Sequence, residues 1–261
     1  DFTFNVISVP DQQIVLSKTV TDDDLQDCSF SENYPFIYAL DFTEISNEGK
    51  YTIQLIDGSN ETVTSSEFEI TSSLQSLFKG FLGNSLFYFM AQRDGDMVNS
   101  QVMNRQPSHL ADRSAFVYQP PKYSTDGALQ SKTLSKIGGP VDVEGGWFDA
   151  GDFIKLVETS SYTLLMMELT ARDYYPSNAT EAQDLLKEIE FGLTWFFKMW
   201  DNDTRTLYYQ VGIGDGNDDI MGDHDVWRLP EEDDTIDVDA NPEQYYIRYR
   251  PVFNIGPGNL S

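Results

Sequence analysis

The sequence is poor in three residue types that build common kinds of site: cysteine, histidine and the basic side chains. Cys28 is the only cysteine among 261 residues, and we expect it to be a small buried hydrophobic residue. An intramolecular disulfide and a cysteine-based metal or redox site are therefore excluded. Only 17 lysine and arginine residues accompany 43 acids, which gives a formal net charge of −26. Because phosphate groups are bound by basic clusters, this composition argues against nucleic acids and anionic membranes as partners.

Long apolar runs are also missing, since none approaches the roughly 18 residues of a membrane span. The N-terminus has no secretory signal pattern, so a secreted form would already have lost its signal. Aromatic residues are plentiful at 13%, which fits either sugar recognition or a well-packed core. Four N-x-[ST] sequons permit a glycosylated product without predicting one; they begin at Asn60, Asn178, Asn202 and Asn259.

Residues 1–71 have the alternation and turn chemistry of a β-sandwich domain. Five short strands are predicted in this region: Phe2 to Val9, Gln13 to Leu16, Phe36 to Phe42, Lys50 to Ile56, and Glu67 to Thr71. Residues 72–261 follow a different, helical period. The domain boundary is therefore predicted at position 71.

The second domain is predicted to be all-α. Its first helix follows a capping box formed by Ser72 and Gln75, and two later helices run from Phe153 to Tyr174 and from Thr180 to Trp200. We expect the second of these three helices to bury Leu165 and Met166, among other apolar residues. Between the first two helices, Arg93 to Gly146 is rich in Gly, Pro, Asn and Ser, which predicts a long functional or disordered loop.

The octapeptide Gly-Gly-Trp-Phe-Asp-Ala-Gly-Asp at positions 145–152 is the strongest candidate site. Glycines allow sharp turns and a close approach of the backbone to a ligand. The carboxylates of Asp149 and Asp152, three residues apart at a helix start, could converge on one water molecule or metal ion. An ordinary helix N-cap beside a surface acid would also explain a D-x-x-D pair, but the flanking glycines and aromatics favour the functional interpretation.

This octapeptide resembles the G-G-[WY]-[YF]-D-A-G-D signature of glycoside hydrolase family 9, a cellulase family whose catalytic domain is an (α/α)6 barrel. The resemblance implies that Asp152 is the general base that activates a water molecule and that Asp149 helps to hold that water. It also places Trp147 among the substrate-binding residues.

A second segment strengthens the resemblance. Gln210-Val211-Gly212, followed by Asp223-His224 and Trp227, is similar to the family's Q-V-G and D-H-x-x-W motifs. The resemblance implies that His224 hydrogen-bonds sugar hydroxyls and that Trp227 stacks on a sugar ring. Without the octapeptide, packing or a salt bridge would explain such a pair equally well.

The acidic stretch after Gly214 was compared with a calcium loop. Asp215, Asn217 and Asp219 have EF-hand spacing, but Ile220 replaces the required glycine and Val226 the required glutamate. An EF-hand is excluded, whereas a looser structural calcium site stays open. No cofactor is expected for the chemistry.

The resemblance also bears on the extent of the chain. Residues 48–55 resemble a strand of the immunoglobulin-like module that precedes many family 9 catalytic domains. We therefore expect a multidomain β + α chain: an immunoglobulin-like β-sandwich that starts inside the module, followed by the N-terminal part of an (α/α)6 barrel. The family's acid, a glutamate, would lie beyond Ser261, and we expect none of Glu144, Glu158 and Glu231 to replace it.

The function expected from the resemblance is inverting hydrolysis of β-1,4 bonds in cellulose or a related β-glucan by a secreted endoglucanase, without nucleic-acid or membrane partners. Two alternatives stay open. One is an exo-acting glucosaminidase or chitobiase on the same fold. The other is a non-catalytic carbohydrate-binding piece, because the acid is missing from the sequence. The oligomeric state is not predicted.

Overall fold

The computed structural model describes residues 2–26, 36–73, 80–174 and 180–256. The chain divides into two compact units, Asp1–Phe81 and Leu82–Ser261. Cys28, Gln75 and the sequons at 178 and 259 lie outside the described residues, whereas Asn60 and Asn202 are both exposed. Within the described ranges, no helix has the length and apolarity needed to cross a membrane.

The first unit is built from antiparallel strands. Its main sheet has the order β2-β1-β5-β6, with β7 also paired to β5, and β3 and β4 form a separate pair. The strands are β1 (Phe2–Ser8), β2 (Ile14–Val20), β3 (Leu25–Gln26), β4 (Ile37–Tyr38), β5 (Gly49–Ile56), β6 (Thr62–Thr64) and β7 (Phe68–Ile70). Phe4, Val6, Val20 and Tyr51 form its buried core. Each of the five predicted strand segments overlaps one of these strands, although β2 extends four residues beyond the predicted end at Leu16, and the short strands β3 and β6 were not predicted.

The three longest helices of the second unit are α1 (Phe81–Ala91), α2 (Val157–Tyr174) and α3 (Thr180–Met199). Helix α2 starts later than predicted, because Lys155–Leu156 forms a short strand instead. Its buried apolar residues are Leu164 and Met167, whereas Leu165 and Met166 are exposed, so the prediction for these two residues is wrong. The other residues predicted to be buried were Ile154, Val157 and Leu169; Ile154 is buried and lies before the helix, and the other two are half-buried. Four consecutive apolar residues at 164–167 cover more than half of the helix circumference, which leaves periodicity unable to choose between the two faces.

The second unit also contains a six-stranded sheet, which corrects the prediction of a domain without strands between its helices. Its order is β10-β12-β13-β8-β9, with β11 paired to β12 and a parallel pairing between β13 and β8. The strands are β8 (Ala115–Tyr118), β9 (Lys136–Val141), β10 (Lys155–Leu156), β11 (Trp200–Asp201), β12 (Thr206–Val211) and β13 (Val252–Ile255), and a one-turn helix α4 (Tyr245–Arg248) precedes β13. Strands β8 and β9 lie inside the predicted loop. They are short and pair with distant segments, so local sequence carries little signal for them.

A close contact between helix α3 and Trp147 fixes the glycine at position 192. A Cβ atom on Gly192 would lie 2.2 Å from the Trp147 ring. Overpacking of this kind costs typically about 1–3 kcal/mol, which exceeds the roughly 1 kcal/mol that alanine gains over glycine in a helix. We expect Gly192→Ala to lower the free energy of unfolding, measured by urea denaturation. The matched control is Gly83→Ala in α1, where no atom lies within 4 Å of the added Cβ. A stabilised Gly192→Ala variant would contradict this contact.

Candidate active site

The first half of the loop at 145–152 is held by two backbone hydrogen bonds. Asp94 N donates to the Gly146 carbonyl at 2.9 Å, and Phe148 N donates to the Gln92 carbonyl at 2.9 Å. Gly146 has a φ of +81°, and a Cβ there would lie 2.6 Å from the Trp195 ring. Only glycine satisfies both conditions. The loop conformation is therefore set before any ligand binds.

Asp152 has a hydrogen-bond donor on each carboxylate oxygen. Oδ1 accepts from the Ile154 amide at 3.0 Å, and Oδ2 lies 3.1 Å from His224 Nε2. Its side chain is 13% exposed and that of His224 is 44% exposed. Asp152 is thus fixed in orientation while solvent still reaches it, which suits a group that takes a proton from water.

Asp149 lies in the same loop and is exposed. Its Oδ1 accepts from the Thr159 hydroxyl at 2.8 Å, and its amide donates to the Ile154 carbonyl at 2.8 Å. Asp152 accepts from the amide of that same residue. Ile154 therefore ties both aspartates of the loop to one short segment.

His224 is the third member of the site. Its Nδ1 lies 2.9 Å from Asp215 Oδ1, so the ring stands between two carboxylates. Burial lowers the pKa of His224, but the hydrogen bonds with Asp215 and Asp152 outweigh this effect and raise the pKa above its ordinary value. The sequence predicted His224 at the site but gave no sign of its contact with Asp215.

Trp227 presents its ring to solvent beside this group. Its side chain is 90% exposed, and a Cβ on Gly151 would lie 3.9 Å from the edge of the ring, an ordinary contact distance. This exposed aromatic ring near the loop offers a surface on which the C–H face of a ligand could pack.

Trp147 is buried, whereas the predicted contact with substrate requires an exposed ring. It is 2% exposed and belongs to a core cluster with Leu86, Leu164 and Leu185. Its indole N–H donates to Glu188 at 2.7 Å, which satisfies the buried donor. The structure therefore corrects this prediction. The Trp147 ring is buried in the core and is not accessible to a sugar.

A cluster of buried charges adjoins the loop. Lys155, fully buried, donates to Asp94 at 2.7 Å, to Asp112 at 2.9 Å and to the Gly145 carbonyl at 2.8 Å. Lys155 thus connects the loop to two aspartates that lie far from it in sequence. The cluster has four aspartates and three basic side chains; they are Asp94, Asp112, Asp223 and Asp233, with Lys155, Arg228 and Arg250.

His109 supplies the fourth positive charge of this cluster. Its Nδ1 lies 2.8 Å from Asp94 and its Nε2 2.9 Å from Asp233. Ionised carboxylates can only accept, so both ring nitrogens carry protons. Burial and the Arg250 guanidinium lower the pKa of His109, but Asp94 and Asp233 outweigh them and raise it. Local sequence carries no signal for this contact, because Asp233 lies 124 residues away.

The raised pKa of His109 makes part of the stability depend on pH. Because the folded pKa lies above the unfolded value of about 6.5, this contribution is complete below that value and is lost as the pH rises through the folded pKa. We expect the difference in unfolding free energy between the native chain and His109→Gln to be largest below about pH 6.5 and to shrink as the pH rises above that value. Urea denaturation at each pH measures it, and a constant difference would contradict a charged His109.

The three glutamates that could have replaced the missing acid lie in surroundings that do not suit this role. Glu144 accepts from Arg113 at 2.7 Å and from the Asp96 amide at 2.9 Å. Glu231 lies 3.9 Å from Arg105, and Glu158 is exposed in the first turn of α2. Arg113 also forms a salt bridge with Asp96. Glu144 and Glu231 are thus engaged with arginines.

The stretch with EF-hand spacing does not form a cation site. Asn217 accepts from the amides of Asp219 and Ile220, and its amide group donates to the Leu129 and Ser131 carbonyls. Within the part of the chain that the structure describes, no group of three or more His, Cys, Asp or Glu side chains could hold a metal ion.

Comparison with known proteins shows one consistent family. Residues 78–259 match the model of glycosyl hydrolase family 9. Endoglucanase 3 of Arabidopsis thaliana is 26% identical over 183 residues, which are 70% of this chain and 29% of that protein. Endoglucanase 22 of Oryza sativa subsp. japonica is 31% identical over 158 residues, 59% of this chain and 23% of that protein. The chain thus spans less than a third of the length of these relatives.

Solved structures show the same fold. A Bacteroides ovatus protein described as GH9 aligns with a TM-score of 0.52 and 23% identity, over 80% of this chain and 36% of its own. A single-mutant thermostable endoglucanase from Alicyclobacillus acidocaldarius aligns with a TM-score of 0.52 and 17% identity, over 97% of this chain and 39% of its own. These matches support a multidomain fold of β-sheet and helices.

Proposed function

Because the chain belongs to glycosyl hydrolase family 9, we propose that the protein carrying it hydrolyses β-1,4-glycosidic bonds of cellulose or a related β-glucan with inversion, as an endoglucanase. The observation that carries this proposal is the position of Asp152. Its carboxylate is oriented by Ile154 and His224, remains open to solvent, and lies in a loop whose Gly151 is near the exposed Trp227 ring.

The roles follow from the chemistry of inversion. One carboxylate removes a proton from a water molecule on one face of the sugar ring, while an acid protonates the leaving oxygen from the other. We assign the base to Asp152 and the positioning of the water to Asp149, whose carboxylate is exposed beside it. His224 would hydrogen-bond sugar hydroxyls, and Trp227 would stack on a sugar ring. Proton transfer of this kind needs no metal or cofactor.

The finer architecture belongs to the same proposal. The antiparallel strands of residues 2–73 are compatible with an immunoglobulin-like sandwich, and helices α1 to α3 with part of an (α/α)6 barrel. The domain division at 71/72 is inferred from the change of sequence period, and secretion of the protein is inferred from the resemblance. Asn60 and Asn202 lie on the surface, as glycosylation of a secreted protein would require.

Hydrolysis of matched oligosaccharides tests the proposal. The protein carrying this chain is expected to cleave cello-oligosaccharides and to leave chito-oligosaccharides of equal length intact. The opposite preference would replace the glucanase with a glucosaminidase or chitobiase. Binding of cello-oligosaccharides without cleavage would instead favour a carbohydrate-binding role.

Trp227 is expected to contribute to binding rather than to folding. Replacing it with alanine should weaken cello-oligosaccharide binding roughly tenfold, about 1.4 kcal/mol, because the ring would lose its contact with the sugar face. The urea midpoint should not change, since the side chain is 90% exposed. Isothermal titration calorimetry measures the affinity. Phe197→Ala is the matched control, because Phe197 is also exposed but lies on α3; equal losses in both variants would contradict a binding role for Trp227.

A further inference from the structure

A third carboxylate, Asp215, is connected to the proposed base through the His224 ring. Asp215 Oδ1 lies 2.9 Å from Nδ1, and Asp152 Oδ2 lies 3.1 Å from Nε2. The proposed function uses Asp152 and His224 but leaves Asp215 without a role. The arrangement places an acid, an imidazole and the base in one hydrogen-bonded row.

The number of protons shared by Asp215, His224 and Asp152 determines which of them donate hydrogen bonds and which accept. With both carboxylates ionised, each can only accept, so the ring must carry two protons. If the ring loses one proton, the remaining N–H can serve only one of the two carboxylates. When the remaining proton is on Nδ1, it faces Asp215, and the lone pair of Nε2 faces Asp152. The contact between Nε2 and Asp152 is then favourable only if Asp152 is protonated. Asp152 and His224 then hold one proton between them.

The backbone keeps Asp215 in place against the ring. His224 N donates to the Gly214 carbonyl at 3.3 Å, and a Cβ on Gly214 would lie 3.0 Å from the ring. Asp225 Oδ2 accepts from the amides of Gly216 and Gly222 at 3.0 and 2.8 Å. The segment carrying Asp215 is thus fastened to the turn that carries His224.

The other charged groups near the row have partners of their own. Asp223 pairs with Arg228 at 2.6 Å, and Asp225 is occupied by the two glycine amides. Asp149 is engaged with the Thr159 hydroxyl. Tyr123 is close enough to Asp215 for its pKa to be affected: burial raises this pKa first, and Asp215 raises it further. Within the described residues, Asp152 and Asp215 are the charged groups that contact the His224 ring.

We propose that Asp215 is a positioning residue for the base: it keeps Nδ1 of His224 protonated, so that Nε2 faces Asp152 and exchanges one proton with it. This inference rests on the proposed function. In the proposed hydrolysis, an O–H bond of water breaks as its oxygen bonds to the anomeric carbon, and the proton goes to Asp152. It then passes to Nε2, and Asp215 balances the charge of the imidazolium. The leaving oxygen receives its proton from the general acid.

The pH profile of kcat/KM on cello-oligosaccharides tests this role. Before each turnover the pair formed by Asp152 and His224 must have lost its shared proton. The fall of kcat/KM at low pH, the acid limb of the profile, therefore reports the loss of this proton. Asp215→Asn removes a charge that favours the imidazolium, and the acid limb should move to lower pH. The plateau should fall by less than the roughly 10²–10⁴-fold that general acid–base groups contribute. The matched control is Asp218→Asn, which changes the same charge at an exposed position of the same loop and should leave the limb in place. A profile for Asp215→Asn that is only scaled down would overturn the proposal.

A second measurement separates failure of this inference from failure of the proposed function. The chain has two histidines, so its Cε1–H NMR spectrum has two histidine signals, and His109→Gln assigns them. The His224 signal should titrate at lower pH in both Asp215→Asn and Asp152→Asn. If the native protein cleaves no oligosaccharide, the proposed function fails, and the titration still decides the coupling. An unchanged His224 titration in Asp152→Asn would overturn the pairing regardless of activity.

Discussion

Asp152→Asn lowers kcat/KM on cello-oligosaccharides by about 10²–10⁴-fold, because the amide cannot accept the proton of the attacking water. Asparagine has nearly the same shape as aspartate, and its Oδ1 can still accept from the Ile154 amide as Asp152 does at 3.0 Å. We therefore expect the loop to keep its conformation. Steady-state hydrolysis measures the loss, and calorimetric titration with the same oligosaccharide measures binding.

The binding measurement is the control for this substitution. Binding that stays within about tenfold, or 1.4 kcal/mol, while hydrolysis disappears would separate catalysis from recognition. Hydrolysis at a rate close to that of the native protein would remove Asp152 from the mechanism. Loss of both activities together with a lower urea midpoint would indicate unfolding, and Asp152→Glu would then test whether a displaced carboxylate restores part of the rate.

Lys155→Met destabilises the second unit by about 3–5 kcal/mol, the usual cost of removing one partner of a buried ion pair. Lys155 is fully buried, and its ammonium group donates to Asp94, Asp112 and the carbonyls of Val143 and Gly145. Methionine fills a similar volume but removes the positive charge that Lys155 supplies to the carboxylates of Asp94 and Asp112. For a unit of this size, the unfolding temperature should fall by roughly 6–20 °C.

Lys187→Met is the matched control for the buried lysine. Lys187 forms an exposed pair with Asp184 on helix α3, at 2.9 Å. Exposed pairs contribute about 0–1 kcal/mol, so this variant should unfold near the native temperature. Scanning calorimetry of the second unit's transition compares the two variants. If both change the transition equally, the cluster around Lys155 does not stabilise the unit as its geometry indicates.

The sequence predicted the parts of the site that are local in the chain. The octapeptide contains Asp149 and Asp152 together with glycines that the structure requires, so eight residues were enough to locate the loop. His224 and Trp227 were predicted by a second short motif, and the structure places His224 within 3.1 Å of Asp152. Their functional roles stay predictions.

What the sequence could not supply depends on contacts between distant segments. The buried cluster joins Asp94, His109, Lys155 and Asp233, which are up to 139 residues apart in the numbering, and no local pattern marks them as neighbours. Trp147 was predicted to bind substrate, but it is 2% exposed. Its burial depends on helix α3, where Gly192 makes room for the ring.

The stereochemistry of the first product tests the central claim most directly. Proton NMR of a cello-oligosaccharide digest, recorded before mutarotation is complete, shows which anomer the protein releases. Water activated by Asp152 on the face opposite the leaving group predicts that the α-anomer appears first and the β-anomer grows only by mutarotation. If the β-anomer appears first, the reaction retains configuration, and Asp152 is not the base of an inverting hydrolase.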